Sequence, residues 1–157
     1  MNRKFVVSRL LSLSLLLVLV GALVLPASAQ TARVNVPSQK SFDQTVNALK
    51  SAVSQGGMMV MGTVDQGNMM AMTGLKMKGT LFLIGNPTVG KQVFEQDPGA
   101  GLYLPLRVFV YEGKDGKTYV SYDKPSVLLD QFNNPQVKKT AGMLDEKLAG
   151  LVKMVTV

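Results

Sequence analysis

The spacing of apolar residues divides the chain after residue 30 into short strands and amphipathic helices. Apolar and polar residues alternate at positions 104–112 and 118–122, which is the period of a half-buried strand. Elsewhere apolar residues recur every three or four positions, the period of a helix with one buried side. In chain order the pattern predicts strand 33–36, helix 41–57, strand 58–65, a loop at 66–78 with a helical turn as the alternative, strand 81–84, helix 87–97, strands 104–112 and 118–122, a short helix from Pro125 and a final helix from Asn134.

The first and last of these helices have the strongest local signals. Ser41 and Gln44 fit a capping box, in which each side chain bonds the backbone N–H of the other residue. Gly56 and Gly57 then supply a stop, because glycine accepts the left-handed conformation at a helix end. Both helices carry an apolar stripe, at Phe42, Val46, Leu49 and Val53 in the first and at Val137, Ala141, Leu144, Leu148 and Leu151 in the last.

The predicted strands indicate how the elements are arranged. Residues 81–84 are continuously apolar, as expected of a central strand buried on both faces. Asp115-Gly116 lies between the two alternating segments and is a strong signal for a hairpin. Strands and helices in this order predict an α+β fold, with helices packed on one face of a largely antiparallel sheet, and residues 30–157 form a single domain.

The first 29 residues have the pattern of a secretory signal peptide. Three basic residues precede an apolar run at 10–25, and Ala27-Ser28-Ala29 follows as a small-residue cleavage site. The alternative is an uncleaved membrane anchor, but 16 residues fall short of the roughly 20 that span a bilayer. We therefore expect export, cleavage near Ala29, a periplasmic or extracellular location, and membrane contact only through the signal peptide before cleavage.

Composition narrows the function classes. The signal segment holds three of the basic residues and no acidic ones, so a formal charge of +7 falls to +4 after cleavage. A modest positive charge spread along an exported chain does not indicate nucleic-acid binding. The chain has no Cys and no His, which removes disulfides, the commonest general base and the commonest metal ligand. We expect no nucleic-acid partner, no cofactor and no catalytic residues, and acid-base chemistry by Asp, Lys or Tyr is the one enzymatic alternative left.

Four segments together resemble the bacterial family known as domain of unknown function 302 (DUF302). They are SFDQTVNALKSAVSQGG, LFLIGNP, DPGAGLYLPLRVFVYE and DGKTYVSYDKP, and the resemblance spans residues 33–132. It implies a two-layer fold like that of the TATA-box-binding protein, a curved antiparallel sheet backed by helices, and it implies no activity. Many exported members carry Asp-His where this chain has Asp65-Gln66, so no role of that histidine is carried over.

The first candidate site is the predicted outer face of the hairpin. Arg107, Phe109 and Tyr111 alternate with core positions on one strand, and Tyr119 lies on the other. Aromatic rings beside a guanidinium group suit a small amphipathic or anionic ligand. Two other interpretations stay open: a homodimer interface, where Tyr, Phe and Arg are enriched, or a core position for the aromatics if the face assignment is shifted by one residue.

The second candidate is a methionine cluster. Met59 and Met61 share one face of a predicted strand, and Met70 and Met72 follow in the next segment. Thioether sulfur is a soft ligand that suits Cu(I) or Ag(I), so convergence of these side chains would form a metal site. The alternative is that methionine fills gaps in an apolar strand and loop.

The third candidate is the corner at Gly85-Asn86-Pro87. Backbone amides at a helix N-terminus near a strand end can bind an anion. Pro87 removes one of these donors, and the corner lacks the glycine density of a phosphate loop. The favoured interpretation is therefore structural, with Asn86 as a helix cap and Pro87 at the first helical position.

Overall fold

Five antiparallel strands form one sheet in the computed structural model, which describes residues 32–157. The strands run in the order β1-β5-β4-β3-β2, so the two edges are the first two strands of the chain. The predicted signal peptide lies outside the described residues. The strands are β1 (Arg33–Pro37), β2 (Met59–Asp65), β3 (Gly79–Gly85), β4 (Leu106–Glu112) and β5 (Thr118–Asp123).

Helices α1 (Phe42–Gln55) and α5 (Pro135–Thr156) cover one face of this sheet. The other helices are α2 (Gln66–Ala71), α3 (Pro87–Phe94) and α4 (Pro125–Leu128), with 3-10 turns at Pro98–Leu102 and Asp130–Phe132. The predicted capping box at Ser41 and Gln44 is present at the start of α1. The main core packs α1 and α5 against the sheet, and its fully buried side chains include Leu49, Phe82, Ile84, Val108, Val110, Val120 and Leu148.

A smaller core lies beside the main one. Val93 of α3, Leu129 after α4 and Val137 of α5 are buried together with two alanines. The rings of Tyr103 and Phe132 meet edge to face at 5.9 Å on its border. This cluster fixes α3 against α5, and it therefore determines where the N-terminal end of α3 lies relative to the sheet.

The predicted α+β class, with an antiparallel sheet and helices on one face, is confirmed. The segment predicted as a loop at 66–78 instead begins with the short helix α2, because the Asp65 carboxylate accepts the backbone N–H of Asn68 as an N-terminal cap. Strand β4 begins at Leu106, two residues later than predicted. Within residues 32–157, no helix combines the length and the apolar composition that crossing a bilayer requires.

Asp145 of α5 is held by hydrogen bonds to a neighbouring helix. Its carboxylate accepts the backbone N–H of Ser126 at 3.0 Å and the Ser126 hydroxyl at 2.5 Å. It therefore caps the start of α4 from a neighbouring helix. Burial of Tyr122, and then the nearby Asp145 charge, raise the pKa of that phenol above its ordinary value.

Candidate ligand-binding face

The strand register places the predicted aromatic residues on the face of the sheet that the helices leave open. Val108 and Val110 are fully buried toward the helices. Phe109 and Tyr111 alternate with them and point the other way. Tyr111 lies directly opposite Tyr119 of β5, which puts both on the same face. The aromatics are half-buried, so the alternative of a core position is wrong.

The three rings form a stacked row across this face. Phe109 and Tyr111 have ring centroids 5.2 Å apart and planes inclined by 12°. Tyr111 and Tyr119 have centroids 5.5 Å apart and planes inclined by 22°. Such offset pairs contribute about 0.5–1.5 kcal/mol each beyond the area they bury. The row therefore supports itself without any cover from a helix.

Two glycines make room for the ends of the row. A Cβ added at Gly79 would lie 2.9 Å from the Phe109 ring, and one added at Gly113 would lie 2.9 Å from the Tyr119 ring. Both glycines lie toward the hairpin end of the sheet, since Gly79 pairs with Tyr111. The rings therefore lean toward the hairpin and leave the floor beside Arg107 uncovered.

Hydrogen bonds hold the hydroxyl ends of the row. The Tyr111 hydroxyl donates to the Asn35 side chain at 3.2 Å, and the Tyr119 hydroxyl donates to the Asp115 carboxylate at 2.8 Å. The bond from Tyr119 holds the pKa of Asp115 below its ordinary value. The same bond to the carboxylate raises the pKa of Tyr119. Both rings are thus oriented by partners on neighbouring segments.

A basin of about 370 Å3 opens at the other end of the row. The Arg33 Nε donates to the Ser121 hydroxyl at 3.1 Å, and that hydroxyl donates to the backbone carbonyl of Val34 at 3.1 Å. The Arg107 guanidinium lies 3.9 Å from the Asp123 carboxylate. The side chains around the basin are Arg33, Gln66, Leu81, Arg107, Phe109, Ser121 and Asp123.

The basin carries a net positive charge. Arg33 pairs with Asp123 in the strand register, and Arg107 contacts the same carboxylate, so two guanidinium groups flank one carboxylate. The Arg107 and Asp123 side chains are 54% and 39% exposed, and an exposed pair at this distance contributes little. A competing carboxylate can therefore replace Asp123 at Arg107 at low cost, while the Phe109 ring offers an apolar wall.

Sequence reasoning found Arg107 and Phe109 but missed the other charged residues of the basin. Arg33 and Asp123 belong to β1 and β5, which are 90 positions apart in the chain and become neighbours only in the sheet. These two residues could not be assigned to the basin without knowing that the first strand pairs with the last. Gln66, at the position where the resemblance places a histidine in many exported members, lines the same basin.

The structure does not bring the four methionines of the second candidate together. Met59 pairs with Gly85, and the Met61 sulfur lies beside the same glycine, at one end of β3. Helix α2, which carries Met70, packs at the other end of β3 near Gly79. These ends are six positions apart along β3, which corresponds to about 20 Å. The prediction that these methionines converge is therefore wrong, because the length of β3 separates Met59 and Met61 from Met70.

Acidic residues do not supply a metal site either. Within residues 32–157 no three Asp or Glu side chains lie close enough together to hold a metal ion. Met59 and Met61 are 56% and 47% exposed at the β2 edge, and Met72 is 89% exposed after α2. Their positions fit apolar surface at a sheet edge rather than a closed thioether cage.

The Gly85-Asn86-Pro87 corner has the capping geometry that was favoured. The Asn86 side-chain oxygen accepts the backbone N–H groups of Thr88 at 2.9 Å and Val89 at 3.2 Å. Its amide nitrogen donates to the Gly57 carbonyl at 2.8 Å. Two of the N-terminal amides of α3 are thereby occupied by the protein itself, and the corner ties α3 to the turn after α1.

Comparison with known proteins identifies a family and a solved structure with a similar fold. Residues 34–155 match the family model described as "Domain of unknown function DUF302". The chain is also similar to a crystal structure of an uncharacterized conserved protein DUF302 from Bacillus stearothermophilus, with a TM-score of 0.74 and 21% identity. That alignment covers 79% of this chain and 98% of the other chain. At this identity the likeness shows the fold alone.

Two curated relatives come from Brucella. The chain is 30% identical over 101 residues to fluoride-specific ion channel FluC 1 of Brucella suis biovar 1 (strain 1330), covering 64% of this chain and 40% of that protein. It is also 30% identical over 101 residues to FluC 1 of Brucella abortus biovar 1 (strain 9-941), covering 37% of that protein. The chain thus spans about two fifths of the length of the curated relatives it matches.

Proposed function

The chain belongs to the DUF302 family, a domain of unknown function, and from its open sheet face we propose that it is a non-enzymatic domain that binds a small anion with a planar apolar body. Arg107 and Arg33 receive the anionic group, and the Phe109 ring packs against the body of the ligand. The ion-channel activity named for the Brucella relatives is not part of the proposal, because the chain spans about two fifths of their length.

The observation that carries this proposal is the charge arrangement at the basin. Two guanidinium groups face one carboxylate there, so a monoanion neutralises the remaining charge. Arginine binds carboxylates through two parallel hydrogen bonds, a geometry that a lysine cannot reproduce. A basin of about 370 Å3 lies near the lower end of the range for small-molecule sites.

Self-association through the open face is the competing function, and the charges argue against it. In a two-fold dimer the same patch faces itself. The basins of two copies would then bring like-charged arginines toward each other, which costs free energy. The aromatic rings are already stacked on one another, so they gain less from a partner than isolated rings would.

Isothermal titration calorimetry with 3-phenylpropionate, compared with neutral 3-phenylpropanol, tests the proposal. We expect binding of the carboxylate only. Arg107→Ala weakens it about tenfold or more, because a charge-assisted hydrogen bond is lost. Arg107→Lys keeps the charge and gives an intermediate affinity. Lys117→Ala, an exposed charge removed on the hairpin, is the matched control and leaves the affinity within about twofold.

Three results would overturn the proposal. One is the absence of any binding heat up to about 10 mM ligand. Another is equal affinity for the carboxylate and the alcohol, which would remove the arginines from recognition. The third is a concentration-dependent dimer, seen by light scattering without ligand and abolished by Arg107→Ala, which would assign the face to self-association.

We further propose that the domain acts outside the cytoplasm. The support is the basic, apolar and small-residue order of the first 29 residues. Mass spectrometry of the protein recovered from its bacterial host should give a chain that starts at Gln30. A protein that keeps Met1 at its N-terminus would contradict the proposal.

A further inference from the structure

A second and larger cavity lies on the helix side of the sheet, away from the basin. It is a groove of about 660 Å3 between α3 and the adjoining ends of β3 and β4. Its floor is formed by Ile84, Leu106 and Leu144, which are buried in the main core. Its walls are Met61, Val89, Phe94, Leu104 and Pro105, all apolar.

Two glycines keep this groove open. A Cβ at Gly85 would meet the Met61 sulfur at 3.4 Å and the Pro105 side chain at 3.7 Å. A Cβ at Gly90 would meet only the Phe94 ring, at an ordinary contact distance of 3.6 Å. The backbone of Gly90 is not in the left-handed region, so this position tolerates a side chain. The groove can therefore be filled by substitution without straining the helix.

Charged side chains stand only at the mouth of the groove. Lys91 and Glu95 form an i,i+4 pair at 3.6 Å whose side chains are 73% and 59% exposed. Such a pair contributes little, so Lys91 is free to exchange its partner. The Asn86 side chain also lines the groove, but its oxygen and nitrogen are both engaged in capping α3. Residues 32–157 carry 14 basic and 10 acidic residues, a balance that favours an anionic partner.

We propose that this groove binds the single apolar chain of an amphiphile with an anionic headgroup, and that the headgroup pairs with Lys91. The apolar floor and walls receive the chain, while the mouth keeps the charged head in water. Met61 gives the wall a flexible side chain that can adapt to chains of different length. This site is separate from the basin, because Ile84 and Arg107 lie on opposite faces of the sheet.

Ile84 provides a direct reporter of binding. It is the single isoleucine of the chain, so a protein labelled at isoleucine methyl groups gives one assigned signal from the groove floor. We expect this signal to shift on titration with octanoate, decanoate or dodecanoate, each kept below its micelle-forming concentration. Affinity should rise about fourfold per added methylene until the groove is full.

Matched substitutions test the site. Gly90→Leu fills the groove and should weaken decanoate binding at least tenfold, whereas Gly150→Ala, a glycine change on α5 with open space around it, should leave it unchanged. Lys91→Gln should weaken decanoate about threefold and leave 1-decanol unaffected. Thermal melts confirm that each variant is folded, and Gly90→Ala serves as a smaller filling change if the leucine variant is not.

Several outcomes would overturn the inference. They are a constant Ile84 signal at saturating decanoate, equal binding by Gly90→Leu and the parent, or equal affinity for decanoate and decanol. Arg107→Ala separates this inference from the function proposed for the basin. It should weaken 3-phenylpropionate binding about tenfold or more and leave the decanoate-induced shift of Ile84 intact. A decanoate response lost in Arg107→Ala would assign the fatty acid to the basin and contradict a site in the groove.

Discussion

The two faces of the sheet are built from alternate residues of the same strands, yet the side chains on each face are packed differently. On the covered face Phe82, Val108 and Val110 are fully buried under α1 and α5. On the open face Phe109 and Tyr111 are half-buried, and they are covered by one another. The covered face therefore supplies most of the stability. On the open face the stacked rings keep their arrangement without a covering helix, and the charged groups stay accessible to a ligand.

The largest expected effect comes from removing one phenylalanine from each face. Phe82→Ala leaves a cavity in the main core and should lower the free energy of unfolding by about 3–5 kcal/mol. Phe109→Ala removes one stacked pair at a half-exposed position and should cost about 1 kcal/mol. Urea unfolding followed by circular dichroism measures both. Equal losses would contradict the division of roles between the faces.

A medium effect is expected from closing the space under the aromatic row. Gly79→Ala places a methyl group 2.9 Å from the Phe109 ring and from the Met77 side chain, so both must shift, at a cost of about 1 kcal/mol. Gly62→Ala is the matched control, since its Cβ would lie at an ordinary 3.5 Å from Leu83. Near-ultraviolet circular dichroism should change only in Gly79→Ala. An unchanged spectrum there would show that the rings do not depend on this glycine.

The smallest effect concerns the end of the row at the hairpin. The lowered pKa of Asp115 means that its contribution to stability is present above its ordinary pKa of about 3.9 and is lost as the pH falls below it. The raised pKa of Tyr119 means that its contribution is present below about pH 10 and is lost as the pH rises through the raised pKa. Between about pH 5 and 9 neither contribution changes.

Asp115→Asn should therefore lower stability at neutral pH, but only slightly, because the hydrogen bond to Tyr119 that it weakens is exposed to solvent. It removes the charge that holds the Tyr119 proton, so the pKa of Tyr119 should move down toward its ordinary value. Spectroscopic titration of the phenolate checks this shift, and Asp43→Asn, on the exposed surface of α1, is the control. A Tyr119 pKa that stays raised in Asp115→Asn would assign the shift to burial instead.

The sequence pattern was enough to predict which face of the sheet each strand residue lies on. Which residues meet in the basin is visible only once the strands are paired. Alternation along residues 104–112 was enough to separate Phe109 from Val108, because side chains on a strand change face at every residue. The second arginine of the basin was not predictable, since Arg33 reaches it only through the pairing of β1 with β5. The methionine interpretation failed for the same reason: closeness in sequence placed Met61 and Met70 together, and a strand holds them apart.

The groove had no signal in the sequence. Its lining comes from five separate elements, and the residues that open it are glycines, which the apolar pattern does not mark. The position of α3 follows from the smaller core around Val93 and from the contact of Asn86 with Gly57. Both are long-range arrangements, so the space between α3 and the sheet is a product of packing rather than of any local motif.

The central claim is that Arg33 and Arg107 jointly receive an anion on the open face. They are the only arginines after residue 30, so a protein produced from Gln30 onward gives two arginine signals in its Nε–Hε spectrum. On titration with 3-phenylpropionate both signals should shift and saturate with one dissociation constant, in the parent and in Lys117→Ala alike. Two unchanged signals at a ligand concentration that saturates the calorimetric titration would contradict the claim.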